Sequence, residues 1–168
     1  THVCKVMEKA KFKFAFLKGA FLIPFVYEKG YRYSNDIDIL IDEKDIDECQ
    51  KTLTSNGFVQ GRVIDGVLYP ATRKEVVLSR MNYGETIPFC KFYEGSYIFV
   101  DINFSLDYKP VSEGKIIQDM LDSVIELQWN ECSIKTLDIS NFVIHLCMHL
   151  YKEATTFDWV KRRKDLNL

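Results

Sequence analysis

Apolar and polar positions first alternate at Phe12, Phe14 and Phe16, with Lys13 and Ala15 between them, which predicts a strand running to Leu17. Ahead of it, Val3, Val6, Met7 and Ala10 recur at helical spacing, so residues 2–10 read as the end of a helix. Lys18-Gly19-Ala20 turns the chain. Ala20 to Tyr27 then reads as a short helix in which Pro24 is tolerated best in the first turn. Gly30 to Asn35 is polar and turn-like. Ile37, Ile39 and Ile41 alternate with Asp36, Asp38 and Asp42, a period-2 strand.

Glu43 to Asn56 places Ile46, Cys49 and Leu53 on one helical face, has an acidic first turn, and stops at Gly57. Phe58 to Tyr93 is less regular, and Glu75 to Arg80 is compatible with helix or strand. Ile87 to Tyr93 and Tyr97 to Phe104 read as strands of a hairpin about Gly95. Residues 115–127 begin helical and turn strand-like near Val124. Ile134 to Leu137 is a further strand candidate, Ser140 to Lys152 an apolar helix, and a last helix is expected from Phe157.

The 168 residues suit one domain, or one domain with a small appendage. We expect a core over 1–108 and a mostly helical extension over 109–168 packed on it. With 47% apolar residues the chain can build a sizeable core. Its net charge of −2 gives no reason to expect nucleic acid or an acidic membrane as the main partner. Cys4, Cys49, Cys90, Cys132 and Cys147 are scattered and form no CxxC pair, so a reducing cytoplasmic setting is the simpler reading. The apolar run Phe12 to Tyr27 is interrupted by Lys13, Lys18, Gly19 and Pro24 and is not expected to span a membrane.

Asp36 and Asp38 stand at i and i+2 on one strand, so both point to one face with Cα atoms about 6–7 Å apart. Two ionised carboxylates this close repel, and a hard divalent cation relieves the repulsion. The same spacing also describes a solvated strand face. Three features bear on the choice. The Lys18-Gly19-Ala20 turn sits between a strand and a helix, where free N–H groups receive phosphate oxygens. Asp101 is a charge amid the apolar run Phe99-Val100-Asp101-Ile102, and a shared metal would partner it. The order strand, Gly turn, helix, DxD strand, helix and later acidic strand is itself informative.

On Leu17-Lys18-Gly19-Ala20, Tyr27, Arg32, Asp36-Ile37-Asp38-Ile39-Leu40-Ile41, Gly57-Phe58 and Val100-Asp101-Ile102-Asn103-Phe104, the chain resembles the nucleotidyltransferase superfamily related to DNA polymerase β. It is most similar to that superfamily's uncharacterised branch. The helix Ile144-His145-Leu146-Cys147-Met148-His149 adds to the likeness, which covers roughly residues 12–155. The resemblance implies an α+β fold: a mixed sheet flanked by helices, with a C-terminal helical segment. It also implies that Asp36, Asp38 and Asp101 are catalytic and hold Mg²⁺ or Mn²⁺, and that Lys18, Gly19, Ala20 and Arg32 meet the nucleotide. The implied reaction moves a nucleoside monophosphate from an NTP to a hydroxyl of a small molecule or protein. The superfamily usually has Gly or Ser where this chain has Ala20, which offers an N–H and no hydroxyl. A catalytically silent nucleotide-binding module, or an antitoxin-like regulatory partner of the same fold, is the alternative.

His145 and His149, at i and i+4, have a zinc-compatible spacing but no Glu in the metalloprotease position, so they read as core or cleft histidines. Lys161-Arg162-Arg163-Lys164 reads as a solvated helix face, with a phosphorylated or nucleic-acid partner as the minor reading.

Overall fold

The computed structural model describes residues 2–34, 36–107 and 114–155. The helix expected from Phe157 and the basic run 161–164 lie outside the described residues. The elements are α1 (His2–Met7), β1 (Phe14–Phe16), α2 (Lys18–Phe25), β2 (Asp36–Ile41), α3 (Ile46–Ser55), β3 (Val59–Ile64), β4 (Val67–Pro70), α4 (Arg73–Asn82), β5 (Phe89–Tyr93), β6 (Ser96–Asn103), α5 (Gly114–Asp122), β7 (Ile125–Trp129), β8 (Cys132–Thr136) and α6 (Ile139–Thr155). The eight strands form one mixed sheet in the order β4-β3-β5-β6-β2-β1-β8-β7. The pairs β2·β6 and β1·β8 are parallel and the others antiparallel. This is the mixed α+β architecture expected from the sequence.

Period-2 alternation divides the core between the two faces of the sheet. Phe14, Phe16, Ile39, Ile41, Val100 and Ile102 pack on one face against α1 and α3, through Val3, Met7, Cys49 and Leu53. Ala15, Leu17 and Leu40 pack on the other against α5 and α6, through Ile117, Met120, Leu121 and Phe142. Asp36 and Asp38, which share the phase of Leu40, therefore lie on the α5/α6 face.

Several elements differ from the pattern reading, each for a local reason. The irregular stretch after Phe58 contains the β3–β4 hairpin, whose turn residues Asp65 and Gly66 have φ of 51° and 77°. Two successive positive φ values make the primed turn that matches strand twist, and Asp-Gly supplies it at little strain. The ambiguous Glu75–Arg80 stretch is helical because Thr72 and Glu75 form a capping box. Pro24 sits in the last turn of α2, not the first, and the helix ends one residue beyond it. Between α5 and α6, the hairpin β7–β8 extends the same sheet through β1. All five cysteines are free, and only Cys147 is exposed. No described helix is long and apolar enough to cross a membrane.

Candidate active site

β1 runs antiparallel to β2 with Phe16 opposite Ile39, and the Leu17 N–H donates to the Asp38 carbonyl at 2.9 Å. The chain therefore leaves β1 beside the DxD strand. Lys18 takes φ 43°, the left-handed region that a side chain seldom adopts. Its ammonium reaches Asp38 Oδ1 at 2.8 Å, with both side chains largely buried. Gly19 follows, and here the demand is for space. A Cβ on Gly19 would stand 2.6 Å from Ser34 Oγ and 2.8 Å from Ser34 Cβ. The N-cap Leu17 offers no side-chain acceptor, so the opening turn of α2 is capped by no side chain.

β2 and β6 are parallel neighbours with Asp38 directly opposite Asp101, Asp36 opposite Phe99 and Leu40 opposite Asn103. Side chains at paired positions project to the same face. The backbone thus gathers Asp36, Asp38 and Asp101 into one patch of acid. Asp38 is 5% exposed and also accepts from Asn103 Nδ2 at 3.3 Å. Asp36 is exposed and accepts from Ser34 Oγ at 2.9 Å. Burial pushes the half-buried Asp101 up to about 7, reinforced by the negative charges of Asp38, Asp36 and Glu85 and opposed by Lys18.

α6 brings basic and imidazole groups beside the patch. Lys152 pairs with Glu85 at 3.4 Å, and Glu85 bridges Asn103 on β6. His145, two turns before Lys152, is 6% exposed, and its Nδ1 has no hydrogen-bond partner among the described residues. Burial, then Lys18, His149 and Lys152, push its imidazole down to about 4. His149 is also lowered, chiefly by burial and then Lys18, against the opposing charges of Glu153 and Asp38.

In donor chemistry the patch suits a hard divalent cation: its carboxylate oxygens stand in adjacent register. The side-chain rotamers do not converge. Among the described residues no group of three or more His, Cys, Asp or Glu closes on a metal-sized point, and Lys18 supplies the positive charge beside Asp38. Of the residues predicted to meet nucleotide, Lys18, Gly19 and Ala20 lie at this corner. Arg32 instead turns to Tyr27, with Nη1 3.3 Å from the phenol oxygen and the guanidinium 5.3 Å from the ring centroid. Ser34 and Asn103 were missed as site residues. Their signals were present: Ser34 stands two residues before Asp36, and Asn103 shares the strand phase of Asp101.

A family model described as uncharacterised nucleotidyltransferase matches residues 1–162. The chain belongs to this family. The fold is also similar to that in the crystal structure of a Thermotoga maritima protein assigned provisionally to the nucleotidyltransferases. That likeness has a TM-score of 0.53 at 17% identity, covering 99% of this chain and 89% of the other, and concerns the fold alone. No curated protein matches the sequence.

Proposed function

We propose that this nucleotidyltransferase-family chain transfers a nucleoside monophosphate from an NTP to a hydroxyl, using Mg²⁺ or Mn²⁺ held by Asp36, Asp38 and Asp101. The observation that carries the proposal is the Asp38–Asp101 register, with Asp36 two residues away on the same face. Asp36, Asp38 and Asp101 would hold the divalent cation, which would neutralise charge on the attacking and leaving oxygens of in-line phosphoryl transfer. The rest falls to the chain. The Gly19 turn lets phosphate approach the backbone, with Ala20 contributing an N–H. Lys18 exchanges Asp38 for a phosphate oxygen, and Arg32 swings from Tyr27 to a second.

The acceptor oxygen forms a bond to the α-phosphorus, the α–β bridging P–O bond breaks, and pyrophosphate leaves with its electron pair. The hydroxyl proton passes to Asp101, the carboxylate that stands opposite Asp38 in register. The direct test is incubation with labelled ATP, GTP, CTP and UTP plus Mg²⁺ or Mn²⁺. Cation-dependent labelling of protein or added alcohol is expected, and Asp36→Ala and Asp38→Ala should each abolish it. Labelling that survives both substitutions would refute the assignment.

The Lys18–Asp38 ion pair favours a second reading. An ammonium that stays on Asp38 satisfies the carboxylate without a cation. The chain would then be a silent nucleotide-binding or antitoxin-like module acting through a protein partner. Nucleotide binding without turnover in the same assay distinguishes it.

A further inference from the structure

A cavity of about 190 Å³ opens where the Gly19 turn meets the start of β2. Its walls are apolar: Val3 of α1, Phe16 of β1, Ile23 and Pro24 of α2, Trp129 of β7 and Ile134 of β8. Apart from the Cys4 thiol, its polar side chains stand at one corner, at Ser34 and Asp36 beside Gly19. Asp36 is the first residue of β2 and lines this cavity. It is thereby shared between the cavity and the carboxylate patch.

We propose that this cavity receives the apolar body of the acceptor, an alcohol on one six-membered ring or short branched chain, with its hydroxyl at Ser34 and Asp36. Size limits the occupant, because an apolar cavity of about 150 Å³ holds a benzene ring. One ring with a one-carbon arm fits; two fused rings do not. Chemistry orients it. An ionised carboxylate only accepts hydrogen bonds, and among the described residues Asp36 has a donor in Ser34, so an alcohol can supply a further one. The assignment names the substrate class of the transfer proposed above and rests on that reading. The alcohol oxygen takes the new bond to phosphorus, pyrophosphate departs, and the proton goes to a site carboxylate.

The sequence has two tryptophans, so Trp159→Phe leaves Trp129 in the cavity wall as the sole indole. Benzyl alcohol and toluene are titrated into this variant without nucleotide or cation, following indole emission. A saturable change is expected, with benzyl alcohol binding about tenfold tighter than toluene because it gains a hydrogen bond to a charged group. Adding Ile23→Phe fills the cavity and should remove the response. Adding Ile23→Ala enlarges it and should favour 4-isopropylbenzyl alcohol about tenfold relative to the parent. No saturable change, equal binding of the two probes, or a response indifferent to both Ile23 variants would overturn the proposal. Saturable, selective binding without nucleotide transfer would sink the transferase reading while leaving the alcohol site standing. Transfer activity with a silent titration would do the reverse.

Discussion

Asp38 and Asp101 face each other across the parallel β2–β6 pair, although 62 residues separate them in the chain. Burial, reinforced by the negative charges of Asp38, Asp36 and Glu85, pushes Asp101 up to about 7. Asp101→Asn preserves shape and hydrogen bonding but neither takes a proton nor binds a cation well. We expect transfer to fall at least ~100-fold, with folding intact. Single-turnover transfer beside a thermal melt checks this, and an unchanged rate would remove Asp101 from the mechanism.

Lys18 is the cation that the site carries within its own chain. Lys18→Met leaves Asp38 buried with Asn103 as its remaining hydrogen-bond donor. Breaking a buried pair from one side costs about 3 kcal/mol, so the variant should be measurably less stable in EDTA. If the carboxylates hold Mg²⁺, adding Mg²⁺ should recover much of that loss and stabilise the variant more than the parent. Urea titrations with and without Mg²⁺ report the difference, and equal Mg²⁺ effects on both proteins would argue against the cation site.

How much of this was legible in the sequence depended on the range of the interaction. Ile37-Asp38-Ile39 shows its strand and its facing by period alone, and Asp36 and Asp38 were therefore placed on one face from sequence. The pairing of Asp38 with Asp101 is a register between distant strands, and nothing local encodes register. Gly19 was singled out for backbone approach to phosphate. Its requirement in the fold comes from Ser34, 15 residues on, whose Cβ occupies the space. Arg32, an arginine beside an acidic strand, suggested a phosphate contact; in the ligand-free fold its guanidinium lies over the Tyr27 ring. The β3–β4 hairpin was overlooked despite a readable Asp65-Gly66 signal, because its strands are short and largely exposed.

The Gly19–Ser34 contact can be tested by compensation. Gly19→Ala should destabilise the protein by about 1–3 kcal/mol through overpacking against Ser34. Ser34→Gly removes both atoms that the new Cβ would crowd and leaves Ile23 Cδ1 at an ordinary 3.6 Å, so the double variant should recover most of that loss. A coupling near zero in the double-mutant cycle would mean that the two residues do not share the space. Activity should not recover with stability, since Ser34→Gly also removes the hydroxyl that orients Asp36.

His145 and Asp101 titrate with opposite consequences in one pH window. His145, pushed down to about 4, stays neutral in the fold while the unfolded chain takes up a proton near 6.5. The unfolded state then binds more protons, so this group's contribution falls as pH drops from 6.5 toward 4. Asp101, pushed up to about 7, keeps its proton in the fold while the unfolded chain loses it near 3.8. The folded state then binds more protons, and this contribution falls as pH rises from 3.8 toward 7. Each amounts to roughly 3–4 kcal/mol, so between pH 4 and 6.5 the two largely cancel. His145→Leu should therefore give a metal-free protein whose stability, relative to the parent, improves as pH falls through this window. Asp101→Asn should tilt the difference the other way. Urea midpoints in EDTA at half-unit steps of pH read both slopes, and difference profiles of the same sign would show that one of these groups does not sit in the environment described.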